Sequence, residues 1–333
     1  MKEDTPKSKR LPSPSNKVLY PLIILLFAVV TLINQHSSLG RMVTPSGYDG
    51  NSYASSVAPP RRPKLGDGCY HVFLDVGSNI GIHARFLYEP HLYPDSKTSV
   101  PAFAREFGFP RDNRDYCVFS FEPNPKFEKR HSELAEAYRA VGWRYVPIIA
   151  GAGSEDGNLT FYHSAFEKEE WETGFSAVTP KTLYGGNGTS RTVDIVRLAT
   201  WITDEIQDRI IPTKTHSDVF SEPTVIMKLD IEGLEFKVFP DLVTTGALCN
   251  NIHFLMGEFH YDSGNWNYYP ITLTKDERHV LKDRKQGERL ARQMLHFVDV
   301  SDNCMTNISL DDDESYLTDP HDYPKPNETA VPS

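Results

Sequence analysis

The stretch Phe73-Leu74-Asp75-Val76-Gly77-Ser78-Asn79-Ile80-Gly81 decides the fold. An apolar run from His71 to Val76, with an acid near its end, breaks into a small glycine-bearing turn. A helix-like stretch from Ile80 to Leu87 follows at once. Strand, tight loop and helix in that order are what α/β folds use to hold a nucleotide-like ligand. A dinucleotide fingerprint would begin its turn with glycine. Here Asp75 takes that first place, with Gly77 and Gly81 behind it. A carboxylate there repels a pyrophosphate and attracts a ligand carrying an ammonium and a sulfonium. The stretch therefore points to S-adenosylmethionine (SAM) before a nicotinamide dinucleotide.

Downstream, apolar runs recur and end in acids. Cys117–Phe121 leads to Glu122-Pro-Asn-Pro125, and a helix opened by that proline is expected through Ala140. Arg144–Ala150 reads as a third strand, and Leu159–His163 and Thr192–Leu198 as strands flanking a polar insert. Thr224–Leu229 runs into Asp230-Ile-Glu232-Gly233 and a helix to about Leu242. Ile252–Met256 runs into Glu258-Phe-His260. A charged helical stretch, Lys275–Leu295, precedes an expected last strand around His296–Val300. Alternation of this kind predicts an α/β fold, a mostly parallel sheet with helices on both faces. Asp75, Glu122, Asp230 and Glu258 all fall at strand C-terminal ends, the edge where open α/β sheets bind ligands.

These blocks together resemble the FkbM family of SAM-dependent methyltransferases. The matching pieces are LDVGSNIG (74–81), FEPNP (121–125), GAGSEDGNLTFY (151–162), VRLATWI (196–202), KLDIEGLEF (228–236) and GEFH (257–260), in the family's order across about residues 70–260. Ser78 stands where the family commonly has alanine, a small-for-small change. The resemblance implies a Rossmann-like class I methyltransferase fold, with a seven-stranded, mostly parallel sheet carrying one antiparallel strand. It further implies that Asp75, Gly77, Asn79 and Gly81 cradle the methionine side of SAM, the missing Cβ atoms letting backbone approach the ligand. Glu122 is expected to take both ribose hydroxyls, and Asp156 is a candidate for the adenine side. The competing reading of Asp156 is an ordinary turn residue.

Methyl transfer to a hydroxyl needs alignment of donor and acceptor and a group to take a proton. Asp230 and Glu258 are expected on the acceptor side, with His260 as base because an imidazole titrates near neutrality. Glu258 and His260, two apart, share one face of a strand. Glu235 is expected to serve the dipole of its helix, and Lys228 to pair with a strand-end acid. Asp230, Glu258 and His260 also form a hard-ligand set compatible with magnesium or manganese. The leading assignment is catalytic, with no metal.

The chain of 333 residues carries a net charge of −10, unevenly spread. Residues 1–65 hold nine Lys/Arg against three Asp/Glu, or +6, which leaves −16 for the rest. An acidic globular part argues against nucleic acid as partner. Val18–Ile33 is a 16-residue apolar run preceded by Lys2, Lys7, Lys9, Arg10 and Lys17. It is expected to anchor the chain with its N-terminus in the cytosol; a cleaved signal peptide is the alternative. Four N-x-S/T sequons, at Asn158, Asn187, Asn307 and Asn327, agree with export. Four cysteines allow three pairings. Cys69 lies six residues before Asp75 and Cys117 five before Glu122, so adjacent parallel strands would bring both to one sheet end. Cys69–Cys117 is therefore expected, and Cys249–Cys304 by subtraction; four buried free thiols are the alternative.

The expected organisation is a cytosolic tail (1–17), a signal-anchor (18–34), a flexible Pro/Gly/Ser stem (35–68), a methyltransferase domain (69–300) and a loosely structured acidic tail (301–333). The expected activity is SAM-dependent O-methylation of a hydroxyl in the ER/Golgi lumen, with a glycan as acceptor. Two alternatives stand beside it. A Golgi-type glycosyltransferase shares the tail, anchor and stem, with Asp311-Asp312-Asp313 as its formal D-x-D. The other is an inactive binding module on the same fold.

Overall fold

The computed structural model describes residues 61–108, 111–162, 175, 177, 190–217, 222–260, 284–311 and 313–326. The anchor, most of the stem, and the sequons at Asn187 and Asn327 lie outside these residues. Among the described residues no helix is long and apolar enough to cross a membrane. Asn158 and Asn307 are both exposed.

The first strand, β1 (His71–Val76), is buried at every position, as a central parallel strand with both faces covered must be. Helices α1 (Ile82–Tyr88) and α2 (Ser99–Phe107) lead to β2 (Tyr116–Phe121), and α3 (Glu128–Ala140) leads to β3 (Arg144–Ile148). A short excursion follows in β4 (Gly151–Gly153), β5 (Gly157–Tyr162) and β6 (Ser190–Arg197), continuing into α4 (Leu198–Glu205). The chain returns through β7 (Val225–Leu229), α5 (Glu235–Thr244), α6 (Ala247–Asn251) and β8 (Phe254–Gly257). It ends with α7 (Arg284–Asp299) and β9 (Asn307–Ser309).

Six strands form one sheet in the order β3-β2-β1-β7-β8-β9, every pair parallel. The strand order reverses at β1, which makes the C-terminal ends of β1 and its neighbours the crevice of the fold. A second sheet, β4-β6-β5, pairs β4 with β6 in parallel and β5 with β6 antiparallel. The antiparallel strand expected within a seven-stranded main sheet is not among the described residues.

Alternation along the strands sends side chains to two cores. Val72, Leu74 and Val76 face one with Leu198, Ile202, Val238, Phe239 and Leu248, from α4, α5 and α6. Phe73 faces the other with Phe86, Phe103, Leu134 and Tyr138, from α1, α2 and α3. The disulfides Cys69–Cys117 and Cys249–Cys304 both form, the first as spacing and the second as subtraction predicted. The first staples the N-terminal ends of β1 and β2 on the side away from the crevice.

Two expectations about the C-terminal part are corrected. His296–Val300 is not a strand: α7 continues through Asp299, because Ala291, Met294, Leu295 and Val298 repeat at helical spacing and pack on the core. The last strand is β9, beside β8. Nor are the described residues of the acidic tail, 301–311 and 313–326, free of contacts with the domain. Asp313 accepts hydrogen bonds from Ser96 Oγ (2.7 Å) and from the N–H groups of Thr98 (3.1 Å) and Ser99 (2.8 Å), at the start of α2. Asp319 pairs with the fully buried guanidinium of Arg85 (2.5 Å) and with Arg130 (2.5 Å), and accepts from Tyr93 Oη (2.8 Å). Those acids meet partners in α1, α2 and α3, so the tail completes that face of the domain.

Candidate functional site

Main-chain bonds stitch the four strand-end loops to one another. Gly77 and Ser78 N–H donate to Phe121 O (3.1 and 3.0 Å), Asp230 N–H to Val76 O (3.0 Å) and Glu258 N–H to Leu229 O (3.2 Å). The acids of neighbouring strands are thereby set side by side along one edge.

The glycines of the first loop have a structural reason. Gly77 and Gly81 have φ of 83° and 75°, values that favour glycine. A Cβ on Gly77 would stand 1.6 Å from Asp230 O, and one on Gly81 3.1 Å from Tyr145 Oη. Close packing of the protein's own loops gives both a structural reason of their own.

Asp75 is fully buried and lies in register between Ser120 on β2 and Lys228 on β7. Glu122 is buried close enough for the two charges to interact. Burial pushes its carboxyl up to about 8, and Asp75 adds to the rise; hydrogen bonds from Asn124 and Asn79 N–H (2.7 Å each) oppose it. Asn79, at φ 51°, is held from both sides. Its N–H bonds Glu122, and its carbonyl accepts from His131 Nε2 (2.8 Å). A carbonyl only accepts, so the His131 proton sits on Nε2 and Nδ1 receives the Tyr145 hydroxyl. Burial pulls the His131 pKa down to about 4, which keeps the ring neutral. Arg130 Nε fixes the next carbonyl, Ile80 O (2.7 Å). Sequence reading missed Arg130, His131 and Tyr145, since they come from α3 and β3 and carry no local motif.

Asp156 does not turn to this group. It is exposed, and its Oδ1 accepts from Arg197 N–H (2.7 Å), tying the β4–β5 turn to the end of β6. The turn reading describes its contact.

Beyond Lys228 the edge becomes a second acidic group. Lys228 Nζ, almost wholly buried, donates to Asp230 Oδ2 (2.8 Å) and Gly77 O (3.1 Å), the pairing expected of it. Glu235, fully buried, accepts from Ile231 and Gly233 N–H (2.8 Å each) and so caps the loop before α5. Its Oε1 also meets His260 Nδ1 at 2.9 Å. His260 Nε2 lies 2.7 Å from Glu258 and 3.6 Å from both Asp230 and Glu232. Burial alone would lower the His260 pKa, but the charges of Glu235 and Glu232, with the Glu235 and Glu258 hydrogen bonds, hold it well above its ordinary value. These partners favour the imidazolium form of His260, which counts against the near-neutral titration that recommended it as a base.

Burial opposes ionisation of Asp230, but the charges of Lys228 and His260 hold its pKa below the usual carboxylate value. Asp230, Glu232 and His260 each offer one ligand atom, and these atoms lie within 4.8 Å of one another. His83, in the first turn of α1, is 1% exposed, and burial pushes its pKa well below the ordinary value.

Fold and site together define an α/β protein with a parallel six-stranded sheet and a row of acids along the C-terminal ends of its strands. No family model, curated protein or solved structure matches the chain.

Proposed function

We propose that the chain is a SAM-dependent O-methyltransferase with a class I fold, acting on a hydroxyl, in first place a glycan hydroxyl, in the ER/Golgi lumen. The observation that carries the reading is the pair of buried carboxylates, Asp75 and Glu122, at the ends of adjacent parallel strands. Their chemistry fits SAM: an acid pair suits an ammonium, a sulfonium and a ribose diol, and would repel a pyrophosphate. The ordered resemblance to the FkbM family supports the same assignment.

SAM would supply an electrophilic methyl group on a sulfonium. Asp75 and Glu122 would bind it, and His131 and Arg130 would hold the Asn79–Ile80 backbone beside it. Asp230 and Glu258 face the acceptor side. With His260 charged, the proton of the acceptor hydroxyl falls to a carboxylate. Glu258, its side chain 43% exposed, is the candidate with the freest access. His260 then positions Glu258 and Asp230 rather than acting as base. Two disulfides and the apolar run Val18–Ile33 support an exported, membrane-anchored protein.

The glycosyltransferase reading loses its motif, because Asp313 is buried and spent on Ser96, Thr98 and Ser99. Calorimetry of the full-length chain against SAM and a nucleotide-sugar panel separates the classes. Micromolar SAM binding is expected, lost in Asp75→Asn. Absence of SAM binding, or binding of a nucleotide-sugar in its place, would defeat the proposal. SAM binding without transfer to any hydroxyl acceptor would leave the inactive binding module.

A further inference from the structure

Two observations converge where β7 and β8 end. The first is His83: neither ring nitrogen has a hydrogen-bond partner among the described residues, although the ring is 1% exposed. The charges that reach it are those of Lys228, Asp313 and Asp230. A buried donor or acceptor left unmade costs about 1–3 kcal/mol, and native proteins keep such groups where water, an ion or a ligand supplies the bond. Something polar belongs beside His83, near Asp230.

The second is the ligand set itself. Asp230 Oδ1 and Glu232 Oε2 lie 3.6 Å from His260 Nε2, with Glu258 Oε1 at 2.7 Å from the same nitrogen. Four carboxylates (Asp230, Glu232, Glu235, Glu258) gather around Lys228 and His260 in a half-buried place. Two carboxylate oxygens and one imidazole nitrogen make a mixed oxygen–nitrogen set that suits manganese, and magnesium through its oxygens. Glu235 holds the other ring nitrogen at 2.9 Å, the outer-sphere contact that orients a metal-ligating histidine.

We propose that Asp230, Glu232 and His260 Nε2 bind one divalent cation of the magnesium–manganese class, the ion displacing the Nε2 proton to solvent, and that its open positions take two neighbouring oxygens of the methyl acceptor. The acceptor clause rests on the methyltransferase reading; the cation site does not. Such an ion prefers about six ligands, and three protein atoms leave room for a bidentate acceptor. The acceptor class is then a vicinal diol or a hydroxyl beside a carbonyl, both found on sugars. A coordinated hydroxyl loses its proton more readily. In the transfer the acceptor oxygen bonds the methyl carbon, and the carbon–sulfur bond breaks with its electron pair to sulfur. The hydroxyl proton passes to Glu258, whose bond to His260 Nε2 the metal replaces.

The test is titration of the full-length chain with manganese, read from the free-ion electron paramagnetic resonance signal, with magnesium as competitor. One ion per chain is expected, with affinity at least tenfold weaker in Glu232→Gln and in His260→Gln. Glu232 is partly exposed, so its variant keeps the fold even where the His260 variant does not, and thermal unfolding checks each. No stoichiometric manganese at millimolar concentration, or unchanged affinity in Glu232→Gln, overturns the site. A SAM titration runs in parallel. SAM binding without manganese overturns the cation site and leaves the donor reading; manganese without SAM keeps the site and removes the acceptor clause.

Discussion

Glu122 is the residue on which a measurable pH dependence turns. Its carboxyl is pushed up to about 8 by burial, so below that pH it carries a proton in the free protein. Ribose hydroxyls donating to it require the ionised form, and binding must expel the proton. SAM affinity is therefore expected to rise with pH up to about 8, by at most tenfold per unit, and then level. Calorimetry in buffers of different ionisation enthalpy between pH 6 and 9 reads the released proton directly; a flat profile contradicts the role. For stability the sign is opposite. A carboxylate raised on folding stabilises below its unfolded pKa, and that contribution is lost as pH rises through about 8. His131 acts on the acid side. Its pKa falls to about 4, so the folded protein loses stability as pH drops from about 6.5 to 4. Tyr145→Phe leaves His131 Nδ1 without its hydroxyl. A loss of about 1–3 kcal/mol is expected in denaturant titration, together with weaker SAM binding as the Asn79 carbonyl loosens. Unchanged affinity would separate the loop clamp from the ligand site.

At the scale of elements, the parts legible in the sequence were those whose signal is local. β1, β2 and β7 are unbroken apolar runs ending in an acid, and they emerge within a residue or so of their expected bounds. β9 escaped because three residues, Asn-Ile-Ser, carry no periodicity. The end of α7 was mistaken for a strand because a short apolar run at the end of a helix resembles one when its preceding turns are not counted. The tail's acids looked solvated because partners more than 200 residues away leave no trace in local composition: Asp313 meets Ser96 across 217 positions and Asp319 meets Arg85 across 234. Asp230, Glu258 and His260 were legible as a group because each closes a strand, while the charge state of His260 was not, since Glu232 and Glu235 fold in from the next loop. Asp313→Ala removes the bonds that start α2 and is expected to cost about 0.5–2 kcal/mol, the range of a lost helix cap. Asp319→Asn leaves Arg85 its Glu89 partner but takes away its second carboxylate. Breaking a buried pair costs about 3–5 kcal/mol, so its melting temperature should fall further than that of Asp313→Ala. Equal shifts would contradict the structural weight given to the Arg85–Asp319 pair.

Over the whole molecule, the two disulfides close separations of 48 and 55 residues. Chain-entropy arguments assign about 4 kcal/mol to each closure of that size. Replacing Cys69 and Cys117 together by serine should lower stability by up to that amount without altering SAM affinity, because the bridge lies at the sheet end opposite the acids. A change in affinity with stability intact would mean that the two ends communicate.

The clasp of Asp319 on Arg85 also sets a schedule. Arg85 leaves the ribosome early, yet its second buried counter-charge follows 234 residues later. At about 5–20 residues per second, the first helical face must wait tens of seconds, exposed to whatever quality control attends the nascent chain. Folding of the first helical face is thus finished by a segment made long after it, and a stop codon before Asp319 would condemn strands completed long before it.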